Sequence, residues 1–261
     1  MYRQDPRKQN EDVEKLFDFL PITKYEEIYS NHAAANRPRT AQLINDKINK
    51  KENILILIET RAGNKFGAYF SSKITVENRL LMEDPNHVVF TISNNMNIKP
   101  KVYKRREDAI LPLLCLCTEN SEGVVLTIPG FCWISDNQST SYVYRDFANI
   151  YDDEGDTYAV FCKDEMKVEK KENASVVNIN CIRIFQLSMI PQNYKIELHS
   201  QNPFNKERVM NYLEGYGKAT IDITNNIVSI VFENSVDAAK FMRMFRTVGY
   251  DLRCSVQLKS I

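Results

Sequence analysis

The amino-acid sequence predicts an α+β chain: an antiparallel β-sandwich with flanking helices, followed by a smaller βαββαβ module. Three observations carry this. Short runs of β-branched and aromatic residues, such as Ile54-Leu55-Ile56-Leu57-Ile58, recur up to about Met189 with few helical periodicities among them. Pro191-Gln192-Asn193 then punctuates the chain. Beyond it, two apolar stripes at helical spacing are set among four strand-like segments. The resulting boundaries are an N-terminal helical extension over 1–21, a β-rich domain over 22–190 and the module over 191–261.

Val13, Leu16, Phe17 and Leu20 recur at helical spacing, so residues 10–20 are expected to form a short amphipathic helix. A second helix is expected from about Thr40 to Asn49, carrying Leu43, Ile44 and Ile48. The continuous run Ile54–Ile58 has the pattern of a strand buried on both faces. It ends at the turn Arg61-Ala62-Gly63-Asn64 and returns as Lys65–Phe70. His87–Ile92, Ala109–Cys117, Phe131–Ser135, Ala159–Cys162 and Asn178–Leu187 read as further strands, with a long polar loop over Asp136–Gly155.

In the module, Tyr194–His199 reads as a strand with Ile196 and Leu198 on one side. Asn202-Pro203 is expected to open a helix that buries Val209, Tyr212 and Leu213 and stops at Gly215 and Gly217. Ala219–Ile223 and Ile227–Phe232 form a hairpin through Asn225-Asn226. Ser235 caps a second helix with the stripe Ala238, Phe241, Phe245 and Val248, ending at Gly249. Leu252, Cys254, Val256 and Leu258 alternate in a last strand. The order strand, helix, strand, strand, helix, strand is the ferredoxin-like layout.

The 261 residues carry 34 Lys+Arg against 34 Asp+Glu, which excludes the strongly basic background of a nucleic-acid coat protein. The polar N-terminus holds no apolar stretch of a secretory signal. The apolar run Ala109–Cys117 is far short of the ~20 residues needed to cross a bilayer. A cytoplasmic or nuclear protein without membrane insertion is therefore expected. In that setting Cys115, Cys117, Cys132, Cys162, Cys181 and Cys254 are expected to be reduced and mostly buried. The alternative is a redox role for Cys115 and Cys117.

Motifs for catalysis are sparse. Gly215-x-Gly217 follows a helix instead of preceding one, so it is a stop and not a phosphate cradle. His32, His87 and His199 lie far apart, with no pair at metal-ligand spacing. Asp152-Asp153-Glu154-Gly155-Asp156 is the densest acidic cluster, but its spacing does not match an EF-hand, and a solvated loop is expected. Lys101-x-x-Lys104-Arg105-Arg106 is the best basic patch and is followed at once by Glu107-Asp108. Trp133, Tyr142, Tyr144, Phe147 and Tyr151 read as core or loop-anchoring aromatics. No catalytic residue, metal or cofactor is assigned.

Two resemblances add to this. Residues 192–261, and within them Ile230–Ala239, resemble an RNA-recognition motif at its third strand and second helix. That family stacks bases on aromatics of its open sheet face. The matching positions here are Glu197, Ile227 and Ser229, none of which stacks a base. Alternation adds Lys195, Thr220, Asp222, Thr224, Val231, Arg253, Ser255, Gln257 and Lys259 to that face.

Residues 22–190 resemble the TLDc family. The segments that carry this are Lys24–Ser30, the pair Ile54–Glu59 and Lys65-Phe66-Gly67-Ala68-Tyr69, Val88–Asn94, Phe131–Asn137 and Asn180–Phe185. In the second strand of that pair Ala68 stands where the family has a second glycine. The TLDc resemblance implies a β-sandwich with no established catalytic centre, and links to oxidative-stress resistance and to the vacuolar proton pump.

The expected function is non-catalytic interaction with a protein partner. The candidate surface is Lys195, Glu197, Ile227, Ser229, Val231, Arg253, Gln257 and Lys259 on the module's open sheet. The alternative is binding of RNA or DNA through residues 191–261.

Overall fold

The computed structural model describes residues 11–31, 39–117, 123–136, 140–156, 158–162, 168–169, 174–191, 193–252 and 254–261. The protein is α+β, with mostly antiparallel sheets and few helices. It divides into two compact units, one of residues 26–187 and one of residues 1–25 with 188–261.

In chain order the elements are α1 (Glu11–Glu14), β1 (Ile22–Ser30), α2 (Ala41–Ile48), β2 (Ile54–Thr60), β3 (Lys65–Phe70), β4 (Leu80–Leu81), β5 (Val88–Ser93), β6 (Lys101–Lys104), β7 (Leu114–Leu116) and β8 (Val124–Ile128). They continue as β9 (Cys132–Ser135), β10 (Ser141–Tyr144), α3 (Ala159–Cys162), β11 (Val168–Glu169), β12 (Ala174–Val177) and β13 (Ile179–Met189). The last six are β14 (Tyr194–Ser200), α4 (Lys206–Leu213), β15 (Ala219–Thr224), β16 (Ile227–Phe232), α5 (Ser235–Leu252) and β17 (Cys254–Ser260). Three sheets result, ordered β1-β13-β2-β3-β5-β6, β11-β12-β10-β9-β8-β7-β4 and β15-β16-β14-β17.

The first two sheets share one core. Ile54, Ile56 and Ile58 of β2 and Phe66, Ala68 and Phe70 of β3 cluster with Leu126, Ile128, Cys132, Ile134 and Val143 of β8–β10. Burial of these side chains is the main favourable term holding the two sheets together. Phe131, Phe147 and Phe161 fill the centre as tilted and edge-on rings, with Phe131 and Phe161 4.9 Å apart. Thr40 caps α2 by accepting from the Leu43 N–H, and Ile44 and Ile48 turn inward.

Several expectations are corrected. Ala159–Cys162 is one turn of helix, because four apolar residues carry no period that separates strand from helix. Only Leu114–Leu116 of the run Ala109–Cys117 is strand. Pro112 has no N–H to pair and restricts Leu111 before it, so the strand does not extend back past this point; Ile110 is 89% exposed. The polar loop over Asp136–Gly155 contains β10, which pairs with both β9 and β12. The expected helix at 10–20 is α-helical only over Glu11–Glu14, after which i→i+3 bonds at Leu16, Phe17 and Phe19 mix with an i→i+4 bond at Leu20, while Val13, Leu16 and Leu20 stay buried. Leu43 is exposed.

In the smaller unit, β14, β16 and α5 enclose a second core of Ile196, Leu198, Val228, Ile230, Ala238, Phe241 and Phe245. Asn205, and not Asn202, caps α4, and Tyr212 is exposed. Asn234, one residue before Ser235, caps α5 through the Val236 N–H. That helix runs through Gly249 to Leu252, a single interior glycine costing only ~1 kcal/mol. The side chain of Val248 lies outside the described residues. Residues 17–23, part of this unit, tie onto α5 and Ser188. Arg243 covers the Phe17 ring at 3.9 Å and donates to the Ile22 carbonyl. Lys240 pairs with Asp18 at 3.0 Å, and Thr23 donates to the Ser188 carbonyl.

Two features of the larger unit are testable. A Cβ at Gly67 would stand 1.9 Å from the Ile56 carbonyl oxygen and 2.9 Å from the Phe90 ring. Gly67→Ala is therefore expected to cost about 3 kcal/mol in denaturant unfolding, and a loss under ~0.5 would contradict this contact. His87 is buried, accepts from the Tyr151 hydroxyl at Nε2 and donates from Nδ1 to the Tyr69 carbonyl. Burial pulls its pKa from 6.5 down to about 4. The unfolded chain then binds the extra proton between those values, so stability falls as pH drops from 6.5 to 4, by about 3 kcal/mol in total. His87→Phe is expected to flatten that part of the stability–pH curve, and an unchanged slope would contradict it.

Candidate interaction surface

Strand alternation puts one set of side chains on the side of β15-β16-β14-β17 away from the helices. The register aligns Asp222, Ser229, Glu197 and Gln257 in one row across all four strands, and Thr224, Ile227, His199 and Ser255 in the next. Lys195 lies opposite Lys259, and Thr220 opposite Val231. Lys195, Glu197, Ile227, Ser229, Val231, Gln257 and Lys259 are thus brought onto one face. Arg253 lies outside the described residues.

The centre of that face is a carboxylate closed over by cations. Glu197 accepts from Lys195 Nζ at 2.9 Å and Lys259 Nζ at 2.5 Å, and meets His199 Nε2 at 3.2 Å. Its side chain is only 7% exposed, although it stands on the open side of the sheet. Hydrogen bonds from Lys259 and then Lys195 hold its pKa down to about 2, against the opposing effect of desolvation. Ile227 is 38% exposed, and Val231 and Ser229 are half-buried. Among the described residues the face carries no Tyr, Phe or Trp. Its one ring, the His199 imidazole, is engaged with Glu197. Sequence reasoning missed His199, though it lies two residues from Glu197, and strand alternation puts it on the same face.

The other charged motifs pair with each other. Lys101 Nζ reaches Asp156 at 2.7 Å and Glu154 at 3.0 Å, and the Tyr103 hydroxyl donates to Asp156 at 3.0 Å. The Asp156 contact raises the pKa of Lys101. Arg106 pairs with Asp108 at 3.1 Å. Arg105 instead donates to the Ala109 and Leu111 carbonyls. Among the described residues no cluster of His, Cys, Asp or Glu is arranged to hold a metal ion.

None of the six cysteines is in a disulfide. Cys115 and Cys117 are half-buried, and burial raises the Cys115 thiol above its ordinary pKa, away from the thiolate a redox site needs. Phe147 and Tyr151 stack in the core at 5.1 Å, while Trp133 and Tyr142 pair across β9 and β10. His32 lies outside the described residues.

The architecture thus defines an α+β protein of two units, the larger built on two sheets around one core and the smaller on a four-stranded sheet with α4 and α5. Residues 8–124 match the model of the TLDc domain family, from the N-terminal segment to the first residue of β8. The match covers less than half of the chain and does not reach residues 192–261. No curated protein matches the chain. Among the described residues no helix is long and apolar enough to cross a membrane.

The Glu197 cluster predicts a change that can be read on a column. Glu197→Gln removes the acid that offsets Lys195 and Lys259, so the variant is expected to elute from a heparin matrix at higher salt than the native chain. Coincident elution would mean that Glu197 does not neutralise this face.

Proposed function

We propose that the chain is a non-catalytic interaction protein: a TLDc-like body joined to a ferredoxin-like module that resembles a degenerate RNA-recognition motif and docks a protein on its open sheet. Support for the TLDc part is the family match over residues 8–124. Support for the module's layout is the sheet order β15-β16-β14-β17, with α4 between β14 and β15 and α5 between β16 and β17.

The observation that carries the docking role is Glu197 in the central row of the open face, held by Lys195, Lys259 and His199. Where a base-binding module offers flat rings and free cations, this face offers a neutralised carboxylate beside apolar Ile227 and Val231. An apolar patch rimmed by compensated charge suits a protein surface. The TLDc kinship adds the proposal that the partner belongs to a stress-response or proton-pump assembly of the cytoplasm or nucleus.

Filter binding of the full-length chain to mixed single-stranded oligonucleotides tests this. No saturable retention is expected at moderate salt below ~100 µM, the weak limit of non-specific nucleic-acid binders. Affinity that falls steeply with salt and is lost on Lys195→Gln with Lys259→Gln would overturn the docking role in favour of nucleic-acid binding. In a pull-down from its native cell extract, Ile227→Asp with Val231→Asp is expected to lose the co-purifying chain.

A further inference from the structure

The helix side of the small module holds a cavity of about 360 Å³, within the ~300–1,000 Å³ range of small-molecule sites. Leu198 and Ile230 of the sheet line it from below, Val209 of α4 from one side, and Phe241 and Phe245 of α5 from the other. These apolar walls favour methylene groups over water, while Ser200, Asn202, Asn205 and Tyr212 give the lining a polar part.

The rim has a different chemistry. Among the lining residues Arg208 is the one charged side chain, and none is Asp or Glu. Arg208 is exposed and stands on the first turn of α4. Asn205, itself a lining residue, accepts from the Arg208 backbone N–H at 3.0 Å and so fixes where that turn begins. The positive end of the α4 dipole adds to the guanidinium charge at the same rim. A guanidinium fork in that position matches a carboxylate.

We propose that this cavity binds a single-chain carboxylate amphiphile, its apolar chain lying between α4 and α5 over the sheet and its head group on Arg208. The site is on the opposite face of the sheet from the docking surface and does not rest on the role proposed for that surface.

Calorimetric titration of the full-length chain with dodecanoate, kept below its micellar concentration, tests the proposal. Saturable one-to-one binding is expected. Arg208→Gln is expected to weaken it about tenfold, the worth of one charge-assisted hydrogen bond. Dodecyltrimethylammonium, with the same chain and a cationic head, is expected to bind at least tenfold more weakly. Val209→Phe fills the wall of the cavity and is expected to abolish binding with the circular dichroism spectrum unchanged. If that variant does not fold, the exposed Arg208 position and the head-group comparison decide. Absence of saturable binding overturns the proposal. So does binding indifferent to Arg208 and head charge, or binding that a folded Val209→Phe leaves intact.

Discussion

Glu197 lies at the middle of the four-stranded sheet with Lys195, Lys259 and His199 drawn over it, and the chemistry available to that face follows from this contact. A carboxylate left alone there would repel any anion. Lysines left alone would draw phosphate. With Asp222 in the same row the two acids balance the two lysines, and little of the Glu197 side chain meets water. Of the apolar side chains on that face Ile227 is exposed and Val231 is half-buried opposite Thr220. The same sheet thus has two unlike sides: a charge-balanced open face, and a helix-covered face whose lining leaves room behind Arg208.

The larger unit applies the same economy of charge at its surface and a different rule inside. Its two sheets meet through branched aliphatics and a cluster of rings, and burial keeps the His87 imidazole neutral. Outside the core, the two charged segments that looked most like ligand sites bond to each other through Lys101, Asp156 and Glu154. Charges spent on each other are poor recruits for a metal or a nucleic acid.

How much of this was legible in the sequence depended on the range of the interaction. Ile54–Ile58 announced a strand buried on both faces, and the burial of β2 agrees. In the module, strict alternation placed Lys195, Glu197, Ile227, Ser229, Gln257 and Lys259 on one face, as the register has them. Short apolar runs misled: Ala159–Cys162 has no period to read, and Pro112 cut a strand that composition alone had extended. β10 was hidden because Ser141–Tyr144 alternates quietly inside a polar stretch, and only pairing with β9 and β12 defines it. Lys101 and Asp156 lie 55 positions apart, and no local pattern predicts that they meet. The cavity behind Arg208 depends on where α4 rests over the sheet, which no sequence spacing encodes.

The central claim is that the open face is organised around an ionised, cation-bound Glu197. Carbon-13 NMR titration of the Glu197 carboxyl in the full-length protein tests it most directly. A pKa held down to about 2 is the predicted result. A carboxyl that titrates in the ordinary glutamate range, with Lys195 and Lys259 left free, would contradict it.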